Sequence, residues 1–217
     1  MERLRANLPA EIEALFGDTR SKCRACGLSE LSYPVHPRGN WKAKVSMLFE
    51  AAGKNEELGD LVMNGPAATT FEKVAETTLV NLDRDFLIYN VALCRPHPPA
   101  GDKRENRAPT SAEVKACSSN VSTVIKAHKP QLIVAGGGIA AAALMRNYPG
   151  TVSSVVGRFF GPDENVFGID ADLYVIYHPS YILRNPTAEK DFAHQLIKLR
   201  DYMIANDLKI KEHQNDS

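Results

Sequence analysis

The 217-residue sequence has no run approaching the ~20 apolar residues that cross a bilayer, so a membrane-spanning helix is excluded. The opening residues, MERLRANLPAEIEALF, mix acids with bases and lack the apolar core of a signal peptide. Net charge is missing as well: 26 Lys and Arg offset 26 Asp and Glu. That excludes a uniformly basic nucleic-acid coat, while a local basic stripe stays compatible with it. Cysteine is scarce, with four residues at Cys23, Cys26, Cys94 and Cys117. Without an export signal a disulfide framework is the poorer reading, and metal or redox chemistry rises. There is no internal repeat. What is present is 44% apolar and 24% charged residues with 14 Gly and 13 Pro, an ordinary folded protein. The length suits one sizeable core. The expectation is a single domain over 1–210, a flexible tail at 211–217, and a cytoplasmic monomer.

Short β-rich runs alternate with helix-period segments. The runs at 45–49, 86–91, 131–135 and 173–177 are apolar on both faces, as in the buried strands of a parallel sheet. Between them, 69–81 carries Phe71, Val74, Ala75, Thr78 and Leu79 at helical spacing, and 111–129 carries Val114, Val121, Val124 and Ile125. An Ala-rich helix is expected over 139–146. A last helix over 190–206 repeats Phe192, Leu196, Leu199 and Met203. Four strands alternating with helices predict a three-layer α/β/α sandwich around a four-stranded, mainly parallel sheet. The one long Pro- and charge-rich loop is 95–109.

Open α/β sheets bind ligands outside the carboxyl ends of their strands. Glu50, Asn90, the glycines 136–138 and His178 each fall at that end of a different strand. Taken singly, each has a plain explanation: a solvated cap, a turn residue, room for helix packing, a packed His-Pro turn. Together they offer an acid, an amide, a backbone anion cradle at Gly137 and Gly138, and an imidazole. Cys23-Arg24-Ala25-Cys26 places two thiolates within reach of one metal. The motif precedes the first strand, where a redox Cys-x-x-Cys would open a helix after one. Zinc and a cubane iron–sulfur cluster are both compatible with the spacing of the four cysteines.

Several segments, in order, resemble the family 4 uracil-DNA glycosylases. They are Cys23-x-x-Cys26-Gly27-Leu28, the Glu50-Ala51-x-Gly53 turn, and Tyr89-Asn90-Val91-Ala92-Leu93-Cys94-Arg95-Pro96. Next come Asn106-Arg107-Ala108-Pro109-Thr110 with Glu113 and Cys117, and His178-Pro179-Ser180-Tyr181-Ile182-Leu183-Arg184. The resemblance spans about Cys23 to Asp201. It implies a DNA glycosylase of the same α/β/α fold, acting on DNA that contains uracil or a modified pyrimidine. It also implies a structural [4Fe–4S] cluster on Cys23, Cys26, Cys94 and Cys117, with zinc the lesser option. His178 would donate to the base oxygen, Asn90 would read the pyrimidine edge, and Glu50 would position water or offset charge on the sugar. The base pocket would comprise Ala51, Glu56, Val62, Met63 and Asn90. Tyr181, Ile182, Leu183 and Arg184 would form the loop that enters the duplex. Arg95, Lys103, Arg104, Arg107 and Arg184 would contact phosphates.

The sequence departs from the family pattern around the base. Gly-Glu-Ala-Pro-Gly becomes Phe49-Glu50-Ala51-Ala52-Gly53. Gly-x-Pro-Phe-Val-Gly, whose Phe stacks on uracil, becomes Gly59-Asp60-Leu61-Val62-Met63-Asn64, so the ring position falls on Val62 or Met63. The interval from Cys94 to Cys117 is also longer than usual. These changes predict a pocket opened for a bulky 5-substituted cytosine, such as the hydroxymethyl or glucosylated base of some phage genomes. A divergent uracil-repair enzyme and a non-catalytic DNA-binding module are the competing expectations.

Overall fold

The computed structural model describes residues 4–17, 23–100 and 105–209. Four parallel strands form the centre of the sheet: β2 (Val45–Ala51), β3 (Leu87–Ala92), β4 (Leu132–Gly136) and β6 (Asp172–Ile176). The sheet has six strands rather than the expected four. Two-residue edge strands, β1 (Arg38–Gly39) and β5 (Phe159–Phe160), run antiparallel to β3 and β6. The order is β1-β3-β2-β4-β6-β5. Two residues are too few to impose a period, which is why neither edge is legible in the sequence.

Eight helices lie among the described residues: α1 (Ala10–Glu13), α2 (Lys54–Gly59), α3 (Pro66–Thr77), α4 (Leu82–Asp85), α5 (Ser111–His128), α6 (Gly138–Leu144), α7 (Pro179–Arg184) and α8 (Glu189–Ala205). Helix α3 starts before the expected 69 because Pro66 occupies its first turn, where a missing N–H does no harm. It stops before 81 because Leu79 takes a left-handed φ of 58°. Helix α5 opens on a reciprocal capping box, with Thr110 N–H donating to Glu113 and Glu113 N–H to Thr110 Oγ1. Helices α2 and α7 are too short to show an apolar stripe, and the sequence pattern passes over both.

Strand alternation divides the core. Val45, Met47, Phe49, Ile88, Val134, Tyr174 and Ile176 face α3 and α8, against Phe71, Phe192, Leu196 and Leu199. Leu48, Leu87, Tyr89, Ile133, Ala135, Leu173 and Val175 face α5 and α6, against Val121, Val124, Ile125 and Leu144. Apolar side chains on both faces are what produced the unbroken apolar runs. The three-layer α/β/α class follows directly. No helix among the described residues is long and apolar enough to cross a membrane.

Candidate active site

The carboxyl ends of β2, β3 and β6 open into one cleft of about 590 Å³. Glu50, Asn90 and His178 all line it, with Ala51, Ala52, Gly53, Glu56, Met63 and Arg184. Parallel pairing sets Phe49 beside Asn90 and Gly136 beside Ile176. With a period of two, positions 49, 90 and 136 therefore fall on the same face of the sheet as Ile176, and His178 follows two residues beyond the end of β6.

His178 is the N-cap of α7. Its Nδ1 accepts the Ser180 backbone N–H at 3.1 Å and lies 2.7 Å from Ser180 Oγ. An Nδ1 that accepts leaves the ring proton on Nε2. The neutral ring is also the favoured charge state, since burial, helped by the positive charge of Arg184, pushes its pKa down to about 4. The imidazole is thus a neutral N–H donor at neutral pH, suited to a carbonyl oxygen that gains negative charge. Gly137 is needed beside it, because a Cβ there would stand 2.9 Å from His178 Cβ and its φ is +95°.

Asn90 is buried, and its Nδ2 has no hydrogen-bond partner among the described residues. A buried amide with an unmade bond is poised for a ligand acceptor. Its two ends are interchangeable by rotation, so it suits a uracil or a cytosine edge. Burial raises the pKa of Glu50, with Arg184 pulling the other way.

Glu56 holds the floor of the cleft. Its carboxylate accepts the N–H of Gly53 at 2.7 Å and of Met63 at 2.5 Å. Met63 has a left-handed φ of 55°, an uncommon conformation for a side-chain-bearing residue. Its carbonyl accepts Arg38 Nη1 at 2.9 Å, so both backbone groups of Met63 are clamped. Replacing Glu56 with Ala is expected to lower stability by about 1–3 kcal/mol, the usual effect of orphaning buried donors, measured by urea unfolding. Burial outweighs these bonds and raises the Glu56 pKa to about 7, against 4.5 when unfolded. The folded state therefore keeps the proton longer. The Glu56 contribution is full below pH 4.5 and declines as pH rises to about 7. That component of the pH slope should vanish in Glu56→Gln.

Other sequence-predicted positions are distributed differently. Val62 is in the core, its N–H donating to His36 O, and does not line the cleft; only Met63 of the two does. Ile182 is 1% exposed and packs in the core, whereas Tyr181 and Leu183 are 39% and 45% exposed. Ile182, turned into the core, offers no surface to a duplex. Gly137 is buried and its N–H is taken by Ile176 O at 2.9 Å, while Gly138 lies against the Tyr148 hydroxyl. At Gly137, packing room rather than an anion cradle is what the glycine provides. Arg95 is buried against Glu57 at 2.9 Å, and Arg107 is paired with Glu113 at 2.6 Å. Both arginines brace the long loop instead of standing free for phosphate. Lys103, Arg104 and the 211–217 tail lie outside the described residues.

Among the cleft residues that sequence patterns did not assign to the site are Asn106 and Phe49. Asn106 accepts Lys54 N–H at 2.9 Å and forms the rim; its place in the Asn106-Arg107-Ala108-Pro109 segment was the available signal. Phe49 lines the cleft beside His178, although as a strand residue it looks like core.

The four cysteines surround a separate hollow with Leu28, Pro34 and Leu93. Leu93 N–H points to Cys117 Sγ at 3.4 Å and Asn120 Nδ2 to Cys23 Sγ at 3.7 Å, donors that suit thiolate sulfur. Burial, then the neighbouring Cys117, Cys26 and Cys23, push the Cys94 thiol up; burial pushes Cys117 up to about 11. Cys94 and Cys117 ionise together only around a cation. Among the described residues no three His, Cys, Asp or Glu are gathered closely enough to hold one metal ion. Four thiols are a donor set that fits either an iron–sulfur cluster or a single zinc.

A neutral N–H donor, an amide with an unmade bond and a carboxylate line one cleft at the carboxyl ends of the strands, groups suited to cleaving a glycosidic bond to a nucleobase. Sequence comparison agrees: residues 36–200 match the Uracil DNA glycosylase superfamily, and the chain belongs to that family. It is 26% identical over 191 residues to the type-4 uracil-DNA glycosylase of Saccharolobus solfataricus, covering 86% of this chain and 84% of that one. The type-4 enzyme of Archaeoglobus fulgidus is 28% identical over 182 residues (82% and 86%). That of Pyrobaculum aerophilum is 29% identical over 178 (80% and 86%). The protein is a DNA glycosylase, a hydrolase of N-glycosidic bonds.

Proposed function

We propose that the enzyme everts a bulky modified pyrimidine from DNA and releases it as the free base, leaving an abasic site. The observation behind the choice of base is the wall of the cleft. Met63 stands where the family pattern has a stacking Phe, and Ala51, Ala52, Ala67 and Ala68 supply the adjoining surface. An aromatic face worth about 1–3 kcal/mol per stacked base gives way to flexible and small side chains. A hydroxymethyl or glucosyl-hydroxymethyl group on cytosine is the kind of substituent such a wall admits. Excising it from phage DNA would leave abasic sites that stall viral replication, a host defence.

Bond cleavage develops negative charge on the base and positive charge on the sugar. The Nε2–H of His178 meets the first. Glu50, which lines the same cleft, positions the attacking water and offsets the second. Asn90 reads the base edge. Tyr181 and Leu183, exposed on α7, wedge into the stack and offset the few kcal/mol of eversion, with Arg184 on phosphate. Cys23, Cys26, Cys94 and Cys117 hold a [4Fe–4S] cluster that braces the segment before β1 and the long loop. The reading includes a single domain acting as a monomer in the cytoplasm.

The names of the relatives favour a second reading, a divergent uracil-repair enzyme. Purified protein incubated with uracil-containing DNA, and separately with phage DNA carrying hydroxymethylated or glucosylated cytosine, separates the two by alkali-labile sites. Cleavage of the modified DNA is expected. Cleavage of uracil DNA alone overturns the enlarged pocket, and cleavage of neither leaves a binding module. In Met63→Phe the ratio of rates is expected to move about tenfold towards uracil, measured by single-turnover base release.

A further inference from the structure

The geometry points to Phe49 as the positioning residue of His178, a role that holds whichever base is released. Its ring lies 5.3 Å from the imidazole at 82° and 5.9 Å from Phe71 at 80°. The ring is 2% exposed and cannot slide away, because Phe71 backs it in the core shared with α3. Across the sheet, the next residue after Ala135 (the partner of Leu48) is Gly136. A Cβ on Gly136 would come within 2.2 Å of Phe49 Cδ1. The two adjacent glycines thus serve two adjacent rings: Gly136 makes room for Phe49, and Gly137 for His178.

The imidazole is held at one atom by Ser180, whose N–H and Oγ both meet Nδ1. Hydrogen bonds at Nδ1 are soft, and they leave the far Nε2 edge of the ring able to tilt unless it is packed. A near-perpendicular aromatic neighbour is a favoured arrangement for ring pairs, and it restricts the remaining freedom. Phe49 therefore fixes the imidazole plane, and with it the direction of Nε2–H. Hydrogen-bond donors stabilise developing charge only when aimed before the reaction begins. Phe49 stands where the family pattern has glycine, so the second constraint belongs to this chain's own departure from that pattern.

The test is Phe49→Leu, which keeps apolar bulk and removes the ring. Two readouts are taken: imidazole ¹⁵N shifts of His178, and single-turnover base release from a DNA duplex carrying uracil or hydroxymethylcytosine, whichever the native chain cleaves. Expected are a single Nε2–H tautomer in the native chain and, in the variant, His178 shifts displaced from their native values as the Nε2 edge tilts. The release rate is expected to fall about tenfold or more at unchanged half-saturating DNA, the mark of misplacement rather than lost binding. Native His178 shifts together with a native rate in folded Phe49→Leu overturn the proposal. If that variant does not unfold cooperatively, Gly136→Ala applies the same test by pushing on the ring from the opposite side, with the same expected and overturning results. The shifts need no substrate, so they report on Phe49 even if neither DNA is cleaved.

Discussion

In His178→Ala, base release is expected to slow by about 10²–10³ or more, the range for removing one preorganised donor to a developing anion. The fold should survive, because the side chain caps only the short α7; far-UV circular dichroism and a cooperative melt check this. The pH behaviour adds a second signature. His178 titrates near 4 when folded against 6.5 when unfolded. The unfolded chain takes up the proton first, so its contribution to stability is complete above pH 6.5 and declines as pH falls towards about 4. Glu56 acts in the opposite sense between 4.5 and about 7. In the native chain the two slopes oppose each other across the shared window. His178→Ala should shift the slope in the Glu56 sense relative to the native chain, and Glu56→Gln in the reverse sense, on top of a constant contribution from His128, which burial also pushes down to about 4. Urea midpoints from pH 4.5 to 7.5 would read both. A rate in His178→Ala within a factor of three of native would remove the imidazole from the chemistry.

The second large effect is expected at the cysteines. Cys94→Ser and Cys117→Ser each remove a buried sulfur from the hollow between the 23–30 segment, the end of β3 and α5. Native protein purified without oxygen should be brown and contain iron and sulfide; the variants should be colourless. Melting temperature is expected to fall by about 10 °C or more, as for loss of a structural metal centre in a chain this size. Activity should fall with it through the loop rather than through the chemistry. Arg95, next to Cys94, is paired with Glu57, which follows the cleft-floor residue Glu56. Tyr33 also donates its hydroxyl to Glu57 O at 2.5 Å. A colourless, zinc-loaded native protein would instead assign the hollow to a single ion.

His36 ties the same floor to the N-terminal arm. Its ring bridges Glu13 at 2.7 Å and Asp60 at 2.9 Å, and Asp60 also takes Arg5 at 3.0 Å. Burial lowers its pKa, but bonds to Asp60 and Glu13 prevail and raise it. This tie is full below pH 6.5 and weakens as pH rises through the folded value. Nothing in the local pattern around Pro37 signals it, since its partners lie 23 and 24 residues away.

The sequence by itself determined the three-layer class, the four central strands and the acid, amide and imidazole at their ends. Strands buried on both faces must be written as unbroken apolar runs, so polar residues at their carboxyl ends stand out. It also displayed the departures near the base, because they are changes of residue type within recognisable segments. Tertiary structure decided what depends on which side of an element faces where. Met63 rather than Val62 reaches the cleft because a left-handed turn, clamped by Glu56 and Arg38, rotates it there. Ile182 turns into the core while Tyr181 and Leu183 turn out. Arg95 and Arg107 are consumed by Glu57 and Glu113, acids that charge counting cannot match to them. Phe49 reads as one more apolar strand residue, and only the pairing of β2 with its neighbours sets it against His178. Periodicity reports burial within an element, whereas partner choice depends on register and crossing between elements distant along the chain.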